Sequence, residues 1–250
     1  MTQPDRPAGR GQRLQPTPVK AAALELGLRV YEPVSLRAFA SELGGERFDL
    51  FALASYGRIL PQAILDLPRI GALNVHPSLL PKYRGATPIQ SALLANEAFT
   101  GISIMLMDAG MDTGEIVSQE PVLIEPGDDC GSLHDRLAEE GAKLLGYAID
   151  LAAAAPLRHV PQTGTPLLTH PIRKEDLEID WSWPAQRIVS AVRAYAPSPC
   201  ARASIDGESV KLLRAHLDGE RAVIDELIAP NRGRMSLEQY ERSRRDRERT

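Results

Sequence analysis

Three nearly uninterrupted apolar runs of strand length constrain this chain most: FDLFALASY (48–56), ALNVH (72–76) and GISIMLMD (101–108). A strand with one wet face alternates apolar and polar residues, so a continuous run marks a strand buried on both faces. Helical signals alternate with these runs. Thr87 followed by Pro88 supplies a cap and a first-turn proline for PIQSALLANE. Leu133, Leu137, Leu144, Leu145 and Ala148 recur at helical spacing between Ser132 and Ala154. VKAAALELG (19–27) predicts a further helix stopped by Gly27, a short strand is expected at Leu28–Tyr31, and residues 114–124 read as a strand with a proline-interrupted outer edge. Buried strands alternating with helices predict an α/β unit with a largely parallel sheet.

The pattern changes near residue 155. AAAAPLRHVPQTGTPLLTHPIRKEDLE carries several prolines and little periodicity, as a linker does. WPAQRIVSAVRAYA (183–196) then reads as a helix opened by Pro184, and ARASI, SVKLLRAHL and AVIDELI as short antiparallel strands. The expected organisation is an α/β domain over 1–155, a linker over 156–173 and a small β-rich domain over 174–250. Residues 2–18, rich in Pro, Gly and Arg, read as an exposed loop.

Composition excludes several classes. No apolar run approaches the ~18 residues of a membrane span, and the N-terminus has no signal-peptide core, so a cytoplasmic protein without a membrane role is expected. Cys130 and Cys200 cannot build a disulfide framework or a four-ligand zinc site by themselves. With 29 Lys+Arg against 33 Asp+Glu, the net charge of −4 argues against a non-specific nucleic-acid coat. Both ends are nonetheless locally basic: Arg6, Arg10, Arg13 and Lys20 face a single acid, Asp5, in the first twenty residues, and the last twenty hold seven arginines against four acids. The terminal RSRRDRERT reads as a solvated helix end.

HExxH, CxxC, GxxxxGK[ST] and GxSxG motifs do not occur, so no metal-hydrolase, P-loop or serine-elbow chemistry has a motif behind it. Four of the five histidines, His134, His159, His170 and His216, read as surface or capping residues. His76 differs. It ends a buried strand, and because strand side chains alternate, Asn74 and His76 share one face while Val75 takes the other. Open α/β sheets place ligands at the carboxyl ends of their strands; a strand end that merely turns polar at the surface would look the same. The following PSLLPKYRGATP (77–88) is stiffened by three prolines, and its two leucines need a cover, which suits a flat aromatic ligand. MDAGMDTG (107–114) then offers Asp108 and Asp112, either of which could orient the imidazole and raise its pKa.

Together, TQPDRPAGRGQRLQPTPVK (2–20), SYGRILPQAIL (55–65), NVHPSLLPKYRGATPIQSALL (74–94), GISIMLMDAGMDTGEI (101–116), RKEDLEIDWSWPAQRIVSAVRAY (173–195) and GRMS (233–236) resemble the formyltransferases that use 10-formyltetrahydrofolate. The resemblance is strongest to members acting on the α-amino group of methionyl-tRNA in translation initiation. It implies a catalytic trio at Asn74, His76 and Asp112, the aspartate of the DTG element. It further implies a folate-contacting loop at Ser78, Leu79, Leu80 and Pro81, and tRNA contacts from Arg6 and Arg10. The partners it implies are folate and initiator tRNA, with no metal, and a monomer is expected. The implied chemistry is attack of the free amine on the formyl carbon. Asn74 and a protonated His76 would stabilise the oxyanion, and Asp112 would keep the imidazole charged.

The resemblance also implies parts not seen here. Such proteins begin with a βαβ unit before the TQPDRP loop, a unit of ~30 or more residues. The expected fold is therefore a doubly wound, mostly parallel sheet lacking that unit, as in an N-terminally truncated or mis-started chain. The OB-like C-terminal β domain is also expected to be incomplete, leaving tRNA binding to basic residues and hence to salt. Two alternatives stay open: transfer to another amine, an amino sugar or glycinamide ribonucleotide, or an inactive remnant that binds RNA or a protein partner.

Overall fold

Cap residues start the helices and the apolar runs become strands. The computed structural model describes residues 1–8 and 13–248. In chain order the elements are β1 (Arg6–Ala8), β2 (Arg13–Gln15), α1 (Pro18–Glu25), α2 (Leu36–Leu43), β3 (Phe48–Ala54), α3 (Gln62–Leu65), β4 (Pro68–His76), β5 (Arg84–Gly85), α4 (Pro88–Leu94), β6 (Phe99–Leu106), β7 (Ile116–Leu123), α5 (Cys130–Ala154), β8 (Leu168–Thr169), α6 (Ala185–Tyr195), β9 (Ala201–Ile205), β10 (Glu208–Asp218), β11 (Arg221–Ala229), β12 (Gly233–Ser236) and α7 (Leu237–Glu248). Thr17 accepts the Lys20 N–H at the head of α1, and Asp129 and Ser132 exchange side-chain-to-backbone bonds at the head of α5. Such a capping box is worth about 1 kcal/mol.

The first sheet has the order β3-β4-β6-β7. β3 and β4 are parallel, while β4–β6 and β6–β7 are antiparallel, so the α/β sheet is mixed. A parallel β6 would need the chain carried back along the whole of β4, about 30 Å for nine residues. The seven-residue α4 spans only about 10 Å, so β6 starts from the end of the sheet where β4 stops. β6 is buried from Thr100 to Met105, as its apolar run predicts. β3 is not buried on both faces: each of its residues is half-buried or exposed, and it forms an edge among the described residues.

β4 divides two packing layers. Leu73 belongs to a cluster that continues through Leu133 and Leu137 of α5 and Val192 of α6 to Leu212 and Leu227 of the C-terminal sheet. Ala72 belongs to a second cluster with Leu36, Phe39 and Leu43 of α2 and Ile64 of α3. Gly141 lets α5 approach β4 closely, since a Cβ there would stand 2.8 Å from Val75 Cγ1. Val75 therefore faces α5, and Asn74 and His76 face the opposite layer.

The C-terminal strands form an open antiparallel meander, order β12-β11-β10-β9, and not a closed barrel among the described residues. The expected exposed loop instead contributes two short strands among the described residues: β1 and β2 pair antiparallel, with Arg6 opposite Gln15. No strand forms at Leu28–Tyr31; the Tyr31 carbonyl instead accepts the Thr2 N–H at 2.9 Å. Among the described residues no helix is long and apolar enough to cross a membrane.

Candidate active site

His76 is the last residue of β4, opposite Ser103 of β6, with a side chain only 5% exposed. Its Nε2 lies 3.0 Å from the Tyr83 carbonyl oxygen. A carbonyl can only accept, so the proton sits on Nε2 and Nδ1 is left facing Asp112, whose Oδ2 is 3.6 Å away. That separation is an ion-pair distance rather than a hydrogen bond. Asn74, two residues earlier on the same face, is half-buried, and its carboxamide has no hydrogen bond to another described residue. A donor held beside His76 is thus available to an oxygen arriving at this face.

The Asp112 carboxylate is fixed by its turn. Its Oδ2 accepts the Gly85 N–H at 2.8 Å, and its carbonyl accepts from Gln162 Nε2 at 2.9 Å. Gly114 is required here, because a Cβ would lie 1.8 Å from the Leu106 carbonyl oxygen. Asp108 is spent within the same turn, accepting the Gly110 N–H and the Thr113 hydroxyl. Of the two aspartates, the structure therefore brings Asp112 to His76. Tyr83 (φ +60), Gly85 (φ +112) and Asp112 (φ +54), all in left-handed conformations, bracket the imidazole. Such backbone strain persists only where surrounding contacts over-determine it.

Burial pushes the His76 pKa below its ordinary 6.5, and the Asp112 charge and the Tyr83 carbonyl only partly offset that. The carboxylate at 3.6 Å thus offsets only part of the cost of desolvating a charged ring, and the site shifts the imidazole towards its neutral form. The free Nδ1 can accept a proton, and Asp112 and the Tyr83 carbonyl would both stabilise the cation so formed.

The Ser78–Pro81 segment curls over β6 beside this face. Leu80 is not left for a ligand to cover; it packs against Met105 and Ile116. Ser78 is fully buried and donates to the Lys82 carbonyl at 2.6 Å. Ser103 holds the loop, accepting the Leu80 N–H at 3.1 Å and donating to the Ser78 carbonyl at 2.7 Å, while Gln119 donates to both Ser103 and the Leu80 carbonyl. Only Leu79 and Pro81 of the four are half-exposed. The apolar-cover argument for a flat ligand therefore fails for Leu80.

Arg6 lies on β1, where its guanidinium donates to Gln3, which in turn donates to the Tyr56 carbonyl. Arg10 lies outside the described residues. Thr87 precedes α4 as expected but does not cap it; its hydroxyl donates to the His170 carbonyl at 2.9 Å. Sequence reasoning missed the Tyr83 carbonyl, the Gly85 N–H, Ser103, Gln119 and Gln162. Gly85, inside the YRGATP stretch, carried the one readable signal. A hollow of about 600 Å³ lined by Arg202, Lys211 and Asn231 lies on the C-terminal sheet, and none of its lining residues belongs to this site. Among the described residues, no group of three or more His, Cys, Asp or Glu is placed to hold a metal ion.

A mixed α/β sheet with polar groups at a strand's carboxyl end, joined to a small antiparallel β sheet, defines a two-part α/β architecture with a candidate ligand site on its first sheet. Residues 1–149 match the family model described as formyl transferase, and residues 171–240 match its C-terminal domain. The chain belongs to the formyl transferase family. It is 42% identical over 236 residues to the methionyl-tRNA formyltransferase of Acidovorax ebreus, covering 90% of this chain and 73% of that protein. It is 47% identical over 219 residues to the enzyme of the same name from Pseudomonas paraeruginosa, covering 86% and 71%. Among solved structures, methionyl-tRNA formyltransferase from Clostridium thermocellum shares the fold with a TM-score of 0.60 at 17% identity, over 81% of this chain and 86% of that one. HypX from Aquifex aeolicus in complex with tetrahydrofolic acid does so with a TM-score of 0.64 at 14% identity, over 88% of this chain and 43% of that one.

Proposed function

We propose that the chain transfers the formyl group of 10-formyltetrahydrofolate to the α-amino group of methionyl-tRNA. The observation that carries this reading is the His76–Asp112 pair with Asn74 beside it on one strand face, in a chain 47% identical to a protein named for that reaction. The folate supplies a formyl carbon as electrophile. The residues here fit it: a half-buried carboxamide with uncommitted donors next to an imidazole with one free nitrogen. Asn74 donates to the formyl oxygen as negative charge builds on it, a contact typically worth about 3–4 kcal/mol. His76 accepts at Nδ1 the proton that the attacking amine loses and returns it to the nitrogen that releases the formyl group. Asp112 stabilises the imidazolium between those two events. Arg6 on β1, with Arg10 close to it in the sequence, favours a phosphate-bearing acceptor over a small amine. Two free, buried thiols fit work in the reducing cytoplasm.

The test is direct. The purified chain, given 10-formyltetrahydrofolate and charged initiator tRNA, forms formylmethionyl-tRNA, and Asn74→Ala and His76→Ala remove the activity while leaving the circular dichroism spectrum unchanged. Transfer to an amino sugar at an equal rate, or full turnover by either variant, overturns the reading.

A further inference from the structure

Gln162 stands in the segment between the two sheets, far along the chain from the groups it touches. Its carboxamide is saturated. The Nε2 protons go to the Asp112 and Gly114 carbonyls at 2.9 and 2.7 Å, and Oε1 accepts from Arg84 Nε and Nη2 at 3.0 and 2.7 Å. Gly85, next to Arg84, donates its N–H to Asp112 Oδ2 at 2.8 Å. These bonds close a ring from the Asp112 main chain through Gln162, Arg84 and Gly85 back to the Asp112 carboxylate. The segment is seated independently two residues earlier, where Val160 and Ile116 exchange backbone bonds at 2.8 and 2.9 Å.

We infer that Gln162 is a positioning residue for the transfer reaction, its carboxamide holding the Asp112 carboxylate on the Nδ1 side of His76. The inference rests on the formyl-transfer reading given above. The site needs two donors for two carbonyls and an acceptor for a guanidinium on one short side chain, which glutamine meets. Glutamate keeps the Arg84 partner but turns a carboxylate towards both carbonyls. Leucine fills the space and makes neither contact. Because Gln162 belongs to the connector leading to the C-terminal sheet, the seat of that connector and the position of Asp112 are one arrangement.

Gln162→Leu and Gln162→Glu test this by steady-state formyl transfer and by NMR titration of the His76 ring in the full chain. Both variants are expected to lower kcat on the order of 10²-fold, the loss that a displacement of ~1 Å brings, with the KM for tRNA unchanged. Gln162→Leu also lowers the His76 titration midpoint, because Asp112 is the charged group acting on that ring. In an Asp112→Asn background Gln162→Glu costs less than about twofold, since the group it places is gone. Wild-type kcat in Gln162→Glu, or an equal loss with and without Asp112, reduces Gln162 to a structural tie and overturns the inference. If Gln162→Leu does not fold, Gln162→Glu, which retains the Arg84 pairing, carries the same test. If the unaltered chain transfers no formyl group, the functional reading fails; the His76 titration still decides whether Gln162 places Asp112.

Discussion

One oxygen of Asp112 serves two neighbours: Oδ2 stands 3.6 Å from His76 Nδ1 and accepts the Gly85 N–H at 2.8 Å. The carboxylate's orientation is therefore set by backbone and its charge is spent on the imidazole. Asp112→Asn separates the two roles, because an amide oxygen still accepts from Gly85 while the charge is gone. We expect kcat to fall ~10²–10⁴-fold, the contribution of a positioned acid–base pair, with little change in melting temperature. The His76 titration midpoint falls further, since the charge that raises it has been removed. Single-turnover rates and ring NMR check both points.

His76 also makes the fold sensitive to acid. Its folded-state pKa lies below the ordinary 6.5 because the ring is buried. In the unfolded chain the ring takes a proton as pH falls through about 6.5, while the folded ring does not. Over that window the unfolded state binds more protons, so stability is lost as pH falls and levels off only below the folded pKa. His76→Gln removes this contribution. Denaturant midpoints at pH 7.5 and pH 5 are expected to differ less in the variant than in the unaltered chain; equal differences would refute the burial argument.

Ser103 is a wholly buried hydroxyl that ties the Ser78–Pro81 loop to β6. Ser103→Ala strands the Leu80 N–H and the Ser78 carbonyl, and each unsatisfied buried group costs about 1–3 kcal/mol. The loop is released next to Asn74, so the expected signature is a lower melting temperature together with a raised KM for the folate and a smaller change in kcat. Calorimetry and substrate titration read these separately.

The parts of this site that were legible in the sequence are those that local pattern determines. The alternation of Asn74, Val75 and His76 fixed which two side chains share a face, and the two Asp-Gly turns narrowed the partner to Asp108 or Asp112. Strand direction was not legible, because the apolar run of β6 reads the same whichever way it lies; the shortness of α4 decided it. Leu80 read as exposed because nothing local announces that Met105 and Ile116 will cover it. The direction of the His76 pKa shift was not legible for a related reason: a carboxylate partner can be inferred from sequence, whereas the depth of burial that opposes it cannot. Gln162 lies in a proline-rich stretch without periodicity, and its partners are 48 to 78 residues away. No local signal marks such a residue.

Arg6 gives a prediction that bears on the acceptor rather than the chemistry. It is exposed on β1, and Gln3, itself bonded to the Tyr56 carbonyl, holds its guanidinium to the body of the protein. A guanidinium so held meets a phosphate with less entropy to lose than one on a free arm. Each phosphate neutralised contributes about 0.7–0.9 to the slope of log K against log salt. Arg6→Ala is therefore expected to weaken tRNA binding, to flatten that slope by about one, and to leave kcat at saturating tRNA unchanged. Filter binding across a salt series measures the first two effects. An unaltered slope would take Arg6 off the acceptor's path and return the choice of amine to the strand face around His76.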